Sequence, residues 1–260
     1  MRLNAGCELL YEATEPCPLI LMLQPRSGAA QQVIHEVCQL EPKTPIADYI
    51  DSYGNLCQRL LAPKGQLRIK STVTVDTADH IDVHSGAAFV PVQDLPDHAL
   101  QFLLPSRYAQ ADLLGELASQ IVTDLAPGYD QVEAIRHWIH SHIEYRYDTS
   151  NASTSAVETE KTRVGVCRDF VHLGLALCRS MTIPARMVVG YLYQLDPMDL
   201  HAWFEAFVGD RWYTFDPTQT TPRGNRIAIA YGRDAADVAL ATQFGPIDLT
   251  EMNVWVEPAR

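Results

Sequence analysis

The sequence has no apolar run long enough to cross a membrane. The longest candidate near its start, Pro18 to Leu23, falls far short of the roughly 20 residues a spanning helix needs. Met1-Arg2-Leu3-Asn4 opens no apolar targeting segment. A cytoplasmic protein without membrane association is therefore expected. Basic residues are scarce, 20 Lys and Arg against 32 Asp and Glu, for a formal charge of -12. A net acidic surface repels phosphate backbones, which argues against nucleic acid as a partner. No two of the six cysteines stand at Cys-x-x-Cys spacing, so a zinc ribbon is not supported. P-loop, GxGxxG and EF-hand patterns are also missing, and no cofactor is expected. Without a secretory segment the cysteines read as reduced thiols, most of them small buried hydrophobes.

What is present can build a core: 47% of residues are hydrophobic and 20% charged. The first third reads as β structure. Leu67, Ile69, Val73 and Val75 fall on one parity and Arg68, Lys70, Thr72 and Thr74 on the other, the mark of a half-buried strand. Residues 18–23 and 32–40 read as further strands, with a turn at Asp51-Ser52-Tyr53-Gly54-Asn55. A β-sandwich over 1–90 and a proline-containing linker over 91–106 follow from this pattern. The period then changes to that of helices. Leu113, Leu114, Leu117, Ala118, Ile121, Val122 and Leu125 recur at helical spacing. A second helix over 130–142 is expected, with Asp130 as its cap and Glu133 three residues on. Residues 149–163 read as a surface loop and 170–177 as a buried helix. Strands follow over 186–193, 202–208 and 212–215, the last two joined by a tight turn at Gly209-Asp210. The unit from 107 to 260 is thus α+β.

One cysteine differs from the rest. Cys167 stands where a loop enters an apolar helix, and the free N–H groups and positive dipole end found there stabilise a thiolate. His172, five residues on, would point about 140° away at 100° per residue, a poor partner and a packing or surface histidine. His201 opens one strand and Asp216 ends the next. If the hairpin turns about Gly209-Asp210, both sit at its open end, where antiparallel neighbours can hydrogen-bond. A carboxylate on one imidazole nitrogen would leave the other for the thiol. Trp203 and Trp212 read as core residues. His80 and His84 with Asp76, Asp79 and Asp82 cluster like metal ligands, but a polar strand edge accounts for them better, and no metal is expected.

The blocks Gly-Val-Cys-Arg-Asp-Phe-Val-His-Leu, His-Ala-Trp-Phe-Glu-Ala-Phe and Trp-Tyr-Thr-Phe-Asp-Pro-Thr closely resemble the bacterial transglutaminase-like family, whose members are often described as cysteine proteases. The resemblance covers roughly residues 107–245, including Tyr231-Gly-Arg-Asp-Ala-Ala-Asp-Val, and the β-rich first third is similar to the region that accompanies this core. It implies an α+β, papain-like transglutaminase core preceded by an antiparallel β-sandwich. It also implies a catalytic Cys167-His201-Asp216 triad acting on amide bonds of proteins or peptides through a thioester, with no cofactor. The Cys167 backbone N–H would serve the oxyanion, with Tyr145, Tyr147 or Trp138 as a possible side-chain donor. Hydrolysis is the expected outcome. A protein cross-linker and an inactive interaction scaffold are the alternatives, and the sequence does not signal an oligomeric state.

Overall fold

The computed structural model describes residues 1–221 and 223–259. Six strands open the chain: β1 (Arg2–Ala13), β2 (Cys17–Gln24), β3 (Gln31–Glu41), β4 (Ile46–Ile50), β5 (Leu56–Ala62) and β6 (Gly65–Thr77). Then follow α1 (Asp97–Leu100), α2 (Gly115–Ile121), α3 (Tyr129–His142), β7 (Glu144–Tyr145), α4 (Ala156–Thr162), β8 (Val164–Gly165) and α5 (Cys167–Ser180). The chain closes with β9 (Ala185–Leu192), β10 (His201–Val208), β11 (Arg211–Phe215), β12 (Arg226–Gly232), β13 (Ala241–Gln243) and β14 (Ile247–Pro258). Among the described residues no helix is long and apolar enough to cross a membrane.

Alternation decides the sandwich. Leu67, Ile69, Val73 and Val75 of β6 are all buried, as their shared parity requires. Leu67 and Ile69 pack with the β2 and β5 leucines between two antiparallel sheets, ordered β14-β1-β6-β3 and β13-β2-β5-β4. Here the structure departs from the boundaries drawn from the sequence. The sandwich is completed from the far end of the chain: β14 runs antiparallel to β1 from Leu3↔Pro258 to Ala13↔Ile247, and β13 pairs with β2. One apolar cluster runs without a break from Leu3, Ala5, Val73 and Val75 to the buried face of α5, so the two regions share a core. Residues 91–106 are no loose linker either. Leu95, Ala99 and Phe102 are buried, and the Phe102 carbonyl accepts the Ala185 N–H at 3.1 Å.

Two carboxamides join the halves. Gln31 Nε2 donates to the Ala228 carbonyl at 2.9 Å while its Oε1 accepts the Ala228 N–H at 2.7 Å. Asn55 does the same at Tyr231, with 2.8 Å in both directions. Both groups lie along β12, the outer strand of the sheet ordered β11-β10-β9-β12.

Local capping corrects the helix limits. α2 is shorter than the apolar period suggested, because Asp124 at φ 64° ends the run. α3 starts at Tyr129, one residue before the expected cap, on Gly128 at φ 122°. A Cβ at Gly128 would lie 2.2 Å from the Ala87 carbonyl oxygen, so glycine is required there. Asp130 therefore sits inside the first turn and accepts the Gly86 N–H at 3.2 Å, and Glu133 pairs with Arg136 instead. The supposed loop 149–163 contains α4. Its Ser155-x-x-Glu158 start is half of a capping box, with the Glu158 carboxylate accepting the Ser155 N–H at 2.8 Å.

Candidate active site

Cys167 is the first residue of α5, half-buried, with Val166 in extended conformation before it. The helix reaches three residues further toward the N-terminus than its apolar face indicates, because Asp169 caps it. The buried Asp169 carboxylate accepts the Val166 N–H at 2.9 Å and meets the Arg168 guanidinium at 3.1 Å. Gly165 lies against this carboxylate, and a Cβ there would fall 2.7 Å from that of Asp169. The Asp169 N–H already bonds the Val166 carbonyl at 2.9 Å, whereas the Cys167 N–H at the helix start has no intrahelical acceptor and can bind an anion.

His201 begins β10 opposite Gly190 of β9 and is 3% exposed. The β10–β11 ladder ends at Phe204↔Phe215, so His201 and Asp216 lie beyond it as diagonal rather than direct neighbours. Their side chains still meet: His201 Nε2 is 2.8 Å from Asp216 Oδ2. That contact leaves Nδ1 as the ring nitrogen for the thiol. Burial disfavours the imidazolium, but the charge and hydrogen bond of Asp216 outweigh it, and with the neighbouring Cys167 thiol they push the His201 pKa up to about 9. No full hydrogen bond joins thiol and ring here, and such contacts commonly tighten only when substrate binds.

Sequence reasoning missed two partners of Asp216. Thr218 donates to Oδ1 through its N–H at 3.0 Å and its hydroxyl at 2.7 Å, an Asx-type turn that the Asp-Pro-Thr run could have suggested. Arg226 opens β12 and brings Nη2 to 2.9 Å from Oδ2, while its guanidinium carbon lies 5.0 Å from the centre of the Trp203 ring. Nη2 is misaligned for a directed hydrogen bond, so its contribution is one of charge. Burial would raise the Asp216 pKa, but His201, Arg226 and Thr218 together hold the carboxyl well below the usual carboxylate range. Nothing near Arg226 in the sequence marks it. Its place follows only from β12 lying beside β9.

The other candidates lie elsewhere. His172 is fully buried, stacked on Tyr108 at 4.9 Å, and its Nε2 accepts the Ala235 N–H at 3.2 Å. Burial, helped by Arg168 and Arg179, holds it neutral. Trp203 is 2% exposed beside Val188 and Ala228, and Trp212 packs edge-on to Phe102 and Phe207. The acidic cluster is dispersed: Asp76 pairs with Arg2 at 2.7 Å and Asp82 with Arg211 at 3.2 Å. Among the described residues no three His, Cys, Asp or Glu side chains converge as metal ligands. Trp138 stacks on His142 at 4.6 Å beneath the Arg163 guanidinium.

The family model described as "Transglutaminase-like superfamily" matches residues 115–217. An uncharacterized protein of Mycobacterium leprae is 30% identical over 253 residues, covering 92% of this chain and 90% of its own. The chain also resembles an uncharacterized protein of Bacillus subtilis, YebA, at 27% identity over 76% of its length, while spanning only 28% of that relative. A solved structure from Cytophaga hutchinsonii, described as a "putative cysteine protease", superposes with a TM-score of 0.92 at 37% identity, over 99% of this chain and 90% of that one.

Proposed function

Because the chain belongs to the transglutaminase-like superfamily, we propose that it is a thiol acyl-transfer enzyme that hydrolyses amide bonds of peptides or proteins through a thioester on Cys167. The observation that carries this reading is the buried His201–Asp216 contact at 2.8 Å beside Cys167, in which the carboxylate favours a protonated ring. An imidazolium next to a thiol at a helix N-terminus favours the thiolate. The thiolate attacks the carbonyl carbon, a C–S bond forms, and the carbonyl π pair moves onto oxygen. The C–N bond then breaks, and His201 supplies the proton to the departing nitrogen. In the second half His201 takes a proton from water, whose oxygen attacks the thioester and frees Cys167. Asp216 holds the ring and its charge throughout.

Incubation with peptide libraries containing Gln side chains, with and without an added primary amine, tests the proposal by mass spectrometry. Hydrolysed peptide and an acyl adduct on Cys167, both abolished in Cys167→Ala, are expected. Amine-linked product in preference to acid would show a cross-linker instead. Turnover that survives Cys167→Ala would overturn the mechanism.

A further inference from the structure

The Asp216 carboxylate is oriented by a turn outside the sheet. The β10–β11 ladder ends at Phe204↔Phe215, and residues 216–220 run on as turn and loop. Thr218 holds Asp216 Oδ1 there with two hydrogen bonds, and its hydroxyl oxygen also accepts from Gln219 Nε2 at 3.1 Å. The groups that fix Thr218 in turn come from α3. His140 Nδ1 is 3.1 Å from the Pro217 carbonyl oxygen, and the Thr220 hydroxyl is 3.3 Å from His140 Nε2. Arg136 Nη1 donates to the Gln219 carbonyl at 2.9 Å. Arg136 and His140 stand four residues apart and are neighbours on one face of the helix. Arg136 is buried and is itself anchored by Glu133 at 2.6 Å. The carbonyls on either side of Thr218 are thus clamped by two side chains of one helix. A carbonyl only accepts, so the His140 proton sits on Nδ1, and Nε2 takes the Thr220 hydroxyl proton. The other histidines of α3 are placed differently: His142 Nδ1 turns back to the Trp138 carbonyl at 2.8 Å, and His137 is exposed.

We propose that His140 is a positioning residue for the triad: by fixing the Pro217 carbonyl it sets the turn from which Thr218 holds Asp216, and so keeps His201 aligned on Cys167. The inference rests on the Cys167-His201-Asp216 reading given above. Without Thr218 on Oδ1, the carboxylate would be anchored through Oδ2 alone and could rotate about its Cβ–Cγ bond. Its angle to His201 Nε2 would then vary, and a hydrogen bond weakens steeply as it departs from linearity. The imidazolium would lose part of the partner that stabilises its charge, and the thiolate beside it would become rarer.

Two amide substitutions separate the two nitrogens of the ring. His140→Asn puts an N–H where Nδ1 stood and can still donate to Pro217, whereas His140→Gln carries its amide out to the place of Nε2 and reaches Thr220 instead. The readouts are the rate of Cys167 alkylation by iodoacetamide at neutral pH and the NMR titration of the His201 ring. His140→Gln should slow alkylation by about tenfold, the low end of what a hydrogen bond to a charged group contributes, and should lower the pH at which His201 titrates. His140→Asn should restore both to near wild type. In an Asp216→Asn background His140→Gln should change the rate by less than about twofold, because its effect runs through the carboxylate. An equal loss in His140→Asn and His140→Gln, or a tenfold penalty that persists in the Asp216→Asn background, would make His140 a packing residue and overturn the proposal. Wild-type rates in both single variants would overturn it as well. If Asp216→Asn alone alkylates at the wild-type rate, the triad reading fails first and the role of His140 falls with it.

Discussion

Asp216→Asn withdraws a negative charge from between two buried cations, and the consequences differ with pH in a calculable way. His201 titrates at about 9 because Asp216, aided by Cys167, overcomes a burial effect that acts in the opposite direction. With asparagine in place, burial acts nearly unopposed, and the imidazole should titrate at or below the 6.5 of a free side chain. Since its folded-state pKa is raised, His201 contributes stability that is fully present below about 6.5 and lost as pH rises through about 9. At 1.36 kcal/mol per pH unit that contribution is roughly 3 kcal/mol. Arg226 adds a second deficit, because it stays buried without its carboxylate, a loss of about 3–5 kcal/mol. The guanidinium remains charged across this range, so its deficit is independent of pH. Urea unfolding of wild type and variant at pH 6 and pH 9.5 isolates the histidine. The variant should fall further below wild type at pH 6 than at pH 9.5, by about 3 kcal/mol. NMR titration of the His201 ring should give about 9 in wild type and no more than 6.5 in the variant. Equal deficits at the two pH values, or a wild-type ring titrating near 6.5, would refute the account.

Iodoacetamide at neutral pH should label Cys167 first, since Cys7, Cys57 and Cys178 are buried with raised pKa values and half-buried Cys38 is pushed up to about 11. Peptide mapping that finds Cys38 modified before Cys167 would count against an activated thiol. Arg226→Gln should lower the unfolding free energy by about 3 kcal/mol and slow turnover less than Asp216→Asn does, because His201 and Thr218 still hold the carboxylate. A variant slower than Asp216→Asn would assign Arg226 a direct part in the chemistry. Asn55→Ala strips both backbone groups of Tyr231 of their partners and should destabilise the protein by about 1–3 kcal/mol in chemical unfolding. An unchanged midpoint would mean that water replaces the amide at no cost.

Features that depend on near neighbours were legible in the sequence. The parity of Leu67, Ile69, Val73 and Val75 marks a buried strand face, and the two-residue turn at Gly209-Asp210 brings His201 and Asp216 to one end of a hairpin even though the true register makes them diagonal. Cys167 at the head of an apolar helix is equally local. The composition of residues 149–163 masked a helix whose capping pair, Ser155 and Glu158, was nonetheless present. Long-range pairings left no such trace. That β14 closes the sheet on β1 follows from shape and burial across almost the whole chain, and an exposed-looking alternation at 247–258 does not state its partner. Arg226 belongs with these: its charge reaches Asp216 only after four strands have been ordered beside one another.

The carboxamides of Gln31 and Asn55 bear on how the chain assembles. Each presents a donor and an acceptor on one planar group and so imitates a single residue of a neighbouring strand. Between them they occupy the backbone groups of Ala228 and Tyr231, which an outer strand otherwise offers to any extended segment that drifts past. Both caps come from residues made well before β12, so during synthesis the first strands are in place to cover that edge as it emerges. A fragment starting after β6 would carry the same strand with its edge bare, and its natural fate is sheet-to-sheet association between copies.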